Sequence, residues 1–260
     1  MGNGENKSIY NPVKKKLLEG KPSFGSWIQI PHPAVAEIMS TVGFDWIAVD
    51  MEHSDAGVSE YSNIIRGMYG RGPVPMARVQ ENDTLVIRRL LDAGAWGVII
   101  PMVNTAEEAK AAVSAVKFPP RGIRGSGFAR ANDFGVSMDN YFKAQDEILV
   151  MVMCETKQSV ENIEEIVAVP GVDGIFMGPF DMSMSYEIPG KMNEPIMVEA
   201  RKKVLAACKN AGKVPGIHHF NMAKESIQSI VDEGFRCIAL GVDVSFLLGG
   251  AKAAYTAAVG

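Results

Sequence analysis

The ionisable residues most suited to chemistry each follow closely on an apolar run. Trp46-Ile47-Ala48-Val49 leads directly into Asp50, with Glu52 and His53 just beyond. Val74-Pro75-Met76-Ala77 ends at Arg78, and the run from Ile148 to Cys154 ends at Glu155. The run from Val172 to Met177 is followed by Gly178, Pro179, Phe180 and Asp181, and the run from Val214 by His218 and His219. Carboxylates bind hard divalent cations, histidine is the side chain whose ordinary titration lies nearest neutrality, and arginine stabilises developing anions. Gathered in one place, these residues would form a metal-assisted or acid–base site. Each also has a plainer reading. Asp50 or Asp181 can cap a following helix, His53 can be a surface loop residue, and Arg78 can simply pair with a carboxylate. Glu155 resists such a reading, because an unbroken apolar run leads into it. His218 and His219 are read as structural.

The elements that must position these residues follow from the apolar runs. A parallel strand buried on both faces reads as a continuous apolar stretch. Such stretches occur at residues 24–30, 46–50, 74–78, 96–101, 148–155, 172–177, 214–217 and 235–240. Helical patterns fall between them, at 12–19, 34–42, 59–69, 82–91, 105–116, 159–168, 195–211, 222–233 and 244–258. Gly43 and Gly94 serve as stop signals, and Thr105 with Glu108 three residues on makes a capping box. Eight strands alternating with helices predict a (β/α)8 TIM barrel. An open doubly wound sheet is disfavoured, since no glycine-rich dinucleotide turn follows the first strand. Residues 1–260 are read as one barrel domain, with 1–16 as N-terminal extension and opening helix. In such a barrel the active site lies at the C-terminal ends of the strands, where the residues above fall. The alternation lapses at 119–146, read as a long loop with a short helix around 138–145. Its arginine- and glycine-bearing part, 121–130, is read as an anion cradle, a lid or a subunit contact. Residues 178–190 are read as an irregular exit loop.

Composition narrows the partners. A 260-residue chain with 47% hydrophobic and 22% charged side chains suits a large buried core. The net charge of −4 gives no reason to expect nucleic acid or an anionic membrane. Cys154, Cys208 and Cys237 have no CxxC spacing, so neither a disulfide framework nor a structural zinc site is expected. No apolar run approaches the ~20 residues of a membrane helix, and residues 1–16 lack the apolar core of a signal peptide. A cytoplasmic protein is the expectation.

Taken together, the motifs resemble those of the class II metal-dependent pyruvate aldolases, which include the 2,4-dihydroxyhept-2-ene-1,7-dioate and 2-keto-3-deoxy-sugar-acid aldolases. The resemblance begins with Phe24-Gly25-Ser26-Trp27, Gly43-Phe44-Asp45-Trp46 and Asp50-Met51-Glu52-His53. It continues through Ala77-Arg78-Val79, Leu91-Asp92-Ala93-Gly94-Ala95, Arg121-Gly122-Ile123-Arg124-Gly125, Cys154-Glu155-Thr156, Gly178-Pro179-Phe180-Asp181 and Gly241-Val242-Asp243. It covers nearly the whole chain from about Leu17, in order.

The resemblance implies that Glu155 and Asp181 ligate a divalent metal ion, Mg²⁺ or Mn²⁺, at a site that also accepts Co²⁺; no organic cofactor is implied. It makes Arg78 the enolate-stabilising residue, His53 the acid–base residue, and Asp50 a member of their cluster. It supplies Asp92 from an adjacent protomer to orient the histidine. The backbone from Gly178 through Pro179 and Phe180 to Asp181 would receive the substrate carboxylate, and Trp27 would shape the pocket. The implied reaction cleaves a 4-hydroxy-2-oxo acid to pyruvate, or a close 2-oxo acid, and an aldehyde through a metal-bound enolate. Whether His53 or a metal-bound water takes the first proton is left open. No lysine stands at a catalytic strand end, which argues against a Schiff-base route. Family habit implies a homohexamer, a trimer of dimers with the last helix exchanged between protomers. Two residues depart from the family pattern, Met153 in place of a glutamine and Phe180 in place of a small residue, and both bear on substrate choice. Two alternatives stand beside this reading. One is a CoA-ester lyase of the malyl-CoA or citryl-CoA type, whose basic lip would have to come from Arg121, Arg124 and Arg130. The other is a non-catalytic barrel that only binds.

Overall fold

The computed structural model describes residues 10–260; the part of the expected N-terminal extension before Tyr10 lies outside them. From the N-terminal side come α1 (Pro12–Leu18), β1 (Ser23–Ile28), α2 (Pro33–Ser40), β2 (Trp46–Asp50), α3 (Val58–Met68), β3 (Val74–Arg78), α4 (Thr84–Ala93), β4 (Gly97–Ile100) and α5 (Ala106–Val116). A 3₁₀ segment (Arg130–Gly135) precedes α6 (Met138–Ala144), β5 (Leu149–Cys154), α7 (Lys157–Glu161), α8 (Ile163–Val167), β6 (Gly174–Met177) and α9 (Pro179–Ser185). The chain ends with α10 (Pro195–Ala211), β7 (Val214–His219), α11 (Lys224–Glu233), β8 (Cys237–Val242) and α12 (Asp243–Val259). The eight strands pair in sequence order, all parallel, and β8 closes on β1, so the described residues form a closed barrel. This is the expected (β/α)8 barrel.

Side chains on a strand alternate between its two faces, and here that alternation divides the core in two. Trp46, Ala48, Met76, Leu149, Met151 and Phe176 fill the barrel interior. Ile47, Val49, Ala77, Val150, Val152 and Ile175 pack outward beneath the helices. The interior holds bulky groups because glycines on neighbouring strands make room. A Cβ on Gly25 would stand 2.0 Å from the Trp46 ring, and one on Gly216 would stand 2.7 Å from Phe176. The alternation also decides what reaches the rim. The position following Trp46 and Ala48 on the inward face is Asp50. In the same way Val74 and Met76 lead to Arg78, Leu149, Met151 and Met153 to Glu155, and Gly174 and Phe176 to Gly178.

Helix ends follow the local signals. The Asp83 carboxylate caps α4 by accepting from the Val86 N–H at 2.8 Å, and Gly94 closes that helix with a φ of +114°. Thr105 and Glu108 form the expected reciprocal capping box. Two expectations are corrected. The helix expected over 159–168 is two short helices, α7 and α8, parted at Asn162, whose side chain turns away to donate to the Asn104 carbonyl. The exit loop expected after β6 begins with a helix, α9. Pro179 sits at its first turn, where a missing N–H costs nothing, and seven residues are too few to display a helical period.

Candidate active site

Asp50 is the best-satisfied carboxylate at the rim. It is 1% exposed and accepts from Arg78 Nε at 2.9 Å, Arg78 Nη2 at 2.6 Å and Gln29 Nε2 at 2.8 Å. The backbone N–H groups of Glu52 and His53 add two longer bonds of 3.2 Å. Burial works to raise its carboxyl, but the hydrogen bonds and charge of Arg78, helped by Gln29, outweigh that and hold it below its ordinary value. A carboxylate engaged in this way is a poor proton acceptor and a good anchor. What it anchors is Arg78. The fork is fixed on Asp50, Nη1 stands 3.2 Å from Glu52 Oε2, and the guanidinium carbon lies 4.9 Å over the Trp27 ring. Burial alone would weaken the Arg78 charge, but Asp50, Glu52 and Glu155 stabilise it. Trp27 is itself buried and makes edge contacts with Trp46 and Phe176 at 6.1 and 5.6 Å. The cluster therefore rests on a rigid aromatic floor.

Opposite this anchored cation is an excess of negative charge. Glu155 is 3% exposed, and Glu155 Oε1 accepts from the Met102 N–H at 2.7 Å. Met102 takes a φ of +54°, rare for a non-glycine residue, and in that conformation its N–H meets the carboxylate. Burial above all, with the neighbouring charges of Glu52 and Asp181, pushes the Glu155 carboxyl up to about 7. Glu52 is raised too, first by burial and then by Asp50 and Asp181, against the lowering effect of Arg78. Its Oε2 is buried without a hydrogen-bond partner among the described residues, since the Arg78 contact has ion-pair distance but not hydrogen-bond geometry. Gly178 closes the group from below: a Cβ there would stand 2.8 Å from Glu155 Oε2. Asp181 lies in the first turn of α9 and faces the same cleft.

The cleft, about 850 Å³, opens over Trp27, Asp50, His53, Arg78 and the Gly178–Asp181 turn. That volume falls within the range of small-molecule sites. His53 stands at its mouth with half its side chain exposed, Nε2 3.7 Å from Glu52 Oε2. His218 and His219, read as structural, also line the cleft, though each ring is tied down. His218 Nε2 donates to the Gly241 carbonyl at 3.0 Å, and burial lowers the ring to about 4, so it is neutral. His219 Nε2 is 3.0 Å from Ser226 Oγ.

Asp92 is not in the cleft of its own chain. It lies near the C-terminal end of α4, five residues before β4 begins, and so at the opposite end of the barrel. There it accepts from Tyr141 Oη at 2.5 Å and Arg124 Nη2 at 2.9 Å. The arginines of 121–130 do not form an anion cradle. Arg121 pairs with Asp146, and Arg124 is buried between the Phe118 and Tyr141 rings. Arg130 donates to the Ala93 carbonyl and stacks on Tyr69. The sequence places Gln29 at the end of the first strand without a role, and gives no sign of Met102. Gln29 shares the inward parity of Trp27, and its bond to Asp50 supplies the role. The Met102 N–H is a backbone group in an irregular turn and carried no signal.

Residues 23–249 match the HpcH/HpaI aldolase/citrate lyase family. The chain is 36% identical over 245 residues to the hydroxypyruvate/pyruvate aldolase of Roseobacter denitrificans, covering 93% of this chain and 94% of that protein. It is 35% identical over 246 residues to the 4-hydroxy-2-oxo-heptane-1,7-dioate aldolase of Salmonella dublin, covering 94% and 92%. An HpcH/HpaI aldolase/citrate lyase family protein from Burkholderia cenocepacia superposes with a TM-score of 0.91 at 31% identity, covering 96% of this chain and all of that one.

Proposed function

Because the chain belongs to the HpcH/HpaI aldolase/citrate lyase family, we propose that it is a carbon–carbon lyase that reversibly cleaves a 4-hydroxy-2-oxo acid to pyruvate, or a close 2-oxo acid, and an aldehyde. The observation that carries this reading is the opposition of an anchored Arg78 to the buried carboxylates Glu52 and Glu155, with Asp181 alongside. Buried carboxylates that raise one another's pKa lack compensating positive charge, and a divalent cation supplies it. Glu155 and Asp181 would hold that ion. Among the described residues no trio of acidic, histidine or cysteine side chains is grouped to bind a metal by protein ligands alone. Two carboxylates with water and substrate completing the shell is the habit of Mg²⁺ and the similar Mn²⁺, and Co²⁺ is also acceptable to such donors. When bound, the ion supplies the electron sink that cleavage beside a carbonyl requires.

The chain's own residues do the rest. Arg78, held by Asp50, which Gln29 in turn holds, points a fixed cation at the oxygen where enolate charge develops, so no reorganisation is needed at that moment. The N–H groups of Phe180 and Asp181 in the first turn of α9 would receive the 2-oxo acid carboxylate, since the Gly178 N–H is held by the Cys154 carbonyl and Pro179 has none, and Trp27 shapes the floor below it. His53 exchanges a proton with the 4-hydroxyl or its solvent relay at the cleft mouth. Orienting that ring by Asp92 requires a second copy of the chain, since Asp92 of the same chain is remote.

Every residue of α12 after Asp243 is exposed in this chain, Phe246, Leu247, Leu248 and Tyr255 included. A helix this apolar and this bare calls for a partner, and we assign it to exchange between copies of the chain in a homohexamer. Light scattering on the eluting protein tests this, and a monomer would overturn it. The chain is read as one barrel domain. No helix among the described residues is long and apolar enough to cross a membrane, and three free buried cysteines suit the cytoplasm. The CoA-ester lyase alternative loses its basic lip, because Arg121, Arg124 and Arg130 are all engaged elsewhere. The deciding experiment is exchange of the pyruvate methyl protons with solvent, with and without a chelator. Metal-dependent exchange lost on substituting Arg78 supports the reading; undiminished exchange in EDTA refutes it.

A further inference from the structure

The cleft continues past the charged cluster toward α10 and α11, and its character changes there. The wall is built by Phe180 on α9, Met192 before α10, Met197 on α10, Phe220 after β7 and Ile230 on α11. Phe180 and Phe220 are 55% and 66% exposed, large apolar surfaces turned to the cleft in this chain. Deeper in, the lining is Met153 and Phe176, both buried. The Phe220 ring packs on His218 with centroids 4.0 Å apart and planes tilted by 36°.

Among the described residues the wall lacks an uncommitted arginine or lysine. Among the described lining residues the arginines are Arg78 and Arg201. Arg78 is taken by Asp50 and Glu52. Arg201 forks onto the Glu233 carboxylate, joining α10 to α11, and its guanidinium lies 4.9 Å over the Phe235 ring. Of the three lining histidines, His53 stands beside Glu52 at the charged cluster, while His218 and His219 hydrogen-bond to Gly241 and Ser226, and desolvation keeps His218 neutral. An aldehyde bearing a carboxylate would surrender its hydration here without gaining an ion pair to arginine or lysine, and a polyhydroxylated one would face methionine and phenylalanine with Asn193 as the amide beside them. Both are costs with no return.

Resting on the aldolase reading above, we propose that the outer arm of the cleft selects an aldehyde with an apolar tail, alkyl or aryl, with Phe180 and Phe220 as its specificity-determining walls. In the synthetic direction pyruvate gives up a methyl proton, and that carbon bonds to the aldehyde carbon. The carbonyl electron pair moves to oxygen, which takes a proton. The product is a 4-hydroxy-2-oxo acid with an apolar substituent at C4, and no further reactant is consumed. Apolar complementarity of this kind discriminates by roughly 10- to 200-fold for even a small apolar increment.

The test uses the full chain loaded with Mg²⁺ or Mn²⁺ and compares kcat/KM in addition of pyruvate to phenylacetaldehyde and hexanal against succinic semialdehyde and glyceraldehyde. Methyl-proton exchange of pyruvate is followed in parallel. The expected result is at least a tenfold preference for the apolar aldehydes, reduced at least fivefold by Phe220→Ala. In Phe220→Arg the semialdehyde should gain. Normal proton exchange with a preference for the charged or hydroxylated aldehyde overturns this inference alone. So does exchange with no apolar turnover, which would mean the exposed aromatic mouth is covered by a second copy. Absence of exchange overturns the aldolase reading and the inference with it. If the Phe220 variants do not fold, the wild-type ratio decides by itself.

Discussion

Replacing Glu155 by glutamine should stabilise the metal-free protein while destroying its response to metal. The wild-type carboxyl is pushed from an ordinary 4.5 to about 7 by burial and by the charges of Glu52 and Asp181. An acid whose folded pKa is raised favours the folded state only while protonated. Between pH 4.5 and about 7 the unfolded chain has already released its proton and the folded chain has not. Stability therefore falls as pH rises through that window, and the full penalty applies above it. The gap corresponds to about 3 kcal/mol. For a chain of this size that is a rise of about 6–10 °C in Tm for Glu155→Gln in EDTA at pH 8. Little difference should remain at pH 4.5, where both side chains are neutral. The amide still accepts from the Met102 N–H through Oε1, so that bond is not a confounding loss. In wild type, divalent metal at about 100 times its Kd should restore about 2.7 kcal/mol; in the variant it should add nothing. Differential scanning fluorimetry of both proteins across pH, with chelator and with Mn²⁺, reads all of this. A lower Tm for the chelated variant at pH 8 would make Glu155 a structural carboxylate and refute the argument.

Three further outcomes are expected. Asp50→Asn strands the Arg78 guanidinium and should cost about 3–5 kcal/mol in urea unfolding, whereas Asp50→Asn with Arg78→Met should cost at least about 1.5 kcal/mol less than the sum of the single variants; additive losses would mean the pair is not coupled. His218 should take up to about 3 kcal/mol from stability as pH drops from 6.5 toward about 4, opposite in sign to the Glu155 contribution over the same window, because the unfolded chain takes up a proton that the folded site refuses. His218→Leu should remove that part of the slope, and an unchanged acid profile would show the ring is charged in the fold. Gly178→Ala puts a Cβ 2.8 Å from Glu155 Oε2; titration calorimetry should then show at least a tenfold weaker Mn²⁺ affinity, and wild-type affinity would show that Glu155 Oε2 does not face the ion.

The barrel and much of its rim are legible in the amino-acid sequence. Unbroken apolar runs spaced by helices leave few architectures, and the two-residue alternation within each run is a local property of extended backbone. Once Trp46 and Ala48 point inward, Asp50 must as well, and the same parity carries Arg78 and Glu155 to the inner rim. Tertiary structure alone decided which of these groups meet. Asp50 and Gln29 come from adjacent strands, yet only their side-chain geometry joins them at 2.8 Å and turns Asp50 into an anchor for Arg78 instead of a base. Met102 reaches Glu155 through a left-handed turn that no propensity foretells. Arg124, one of three arginines that looked available to an anion, is spent on Asp92 and two aromatic rings. Arg201 of α10 is held by Glu233 and the Phe235 ring, both far along the chain, and is thereby withdrawn from the cleft wall. The reason is the range of the interactions. Alternation is set by neighbouring residues, whereas ion pairing and desolvation depend on groups that are distant in sequence and adjacent only after the barrel closes.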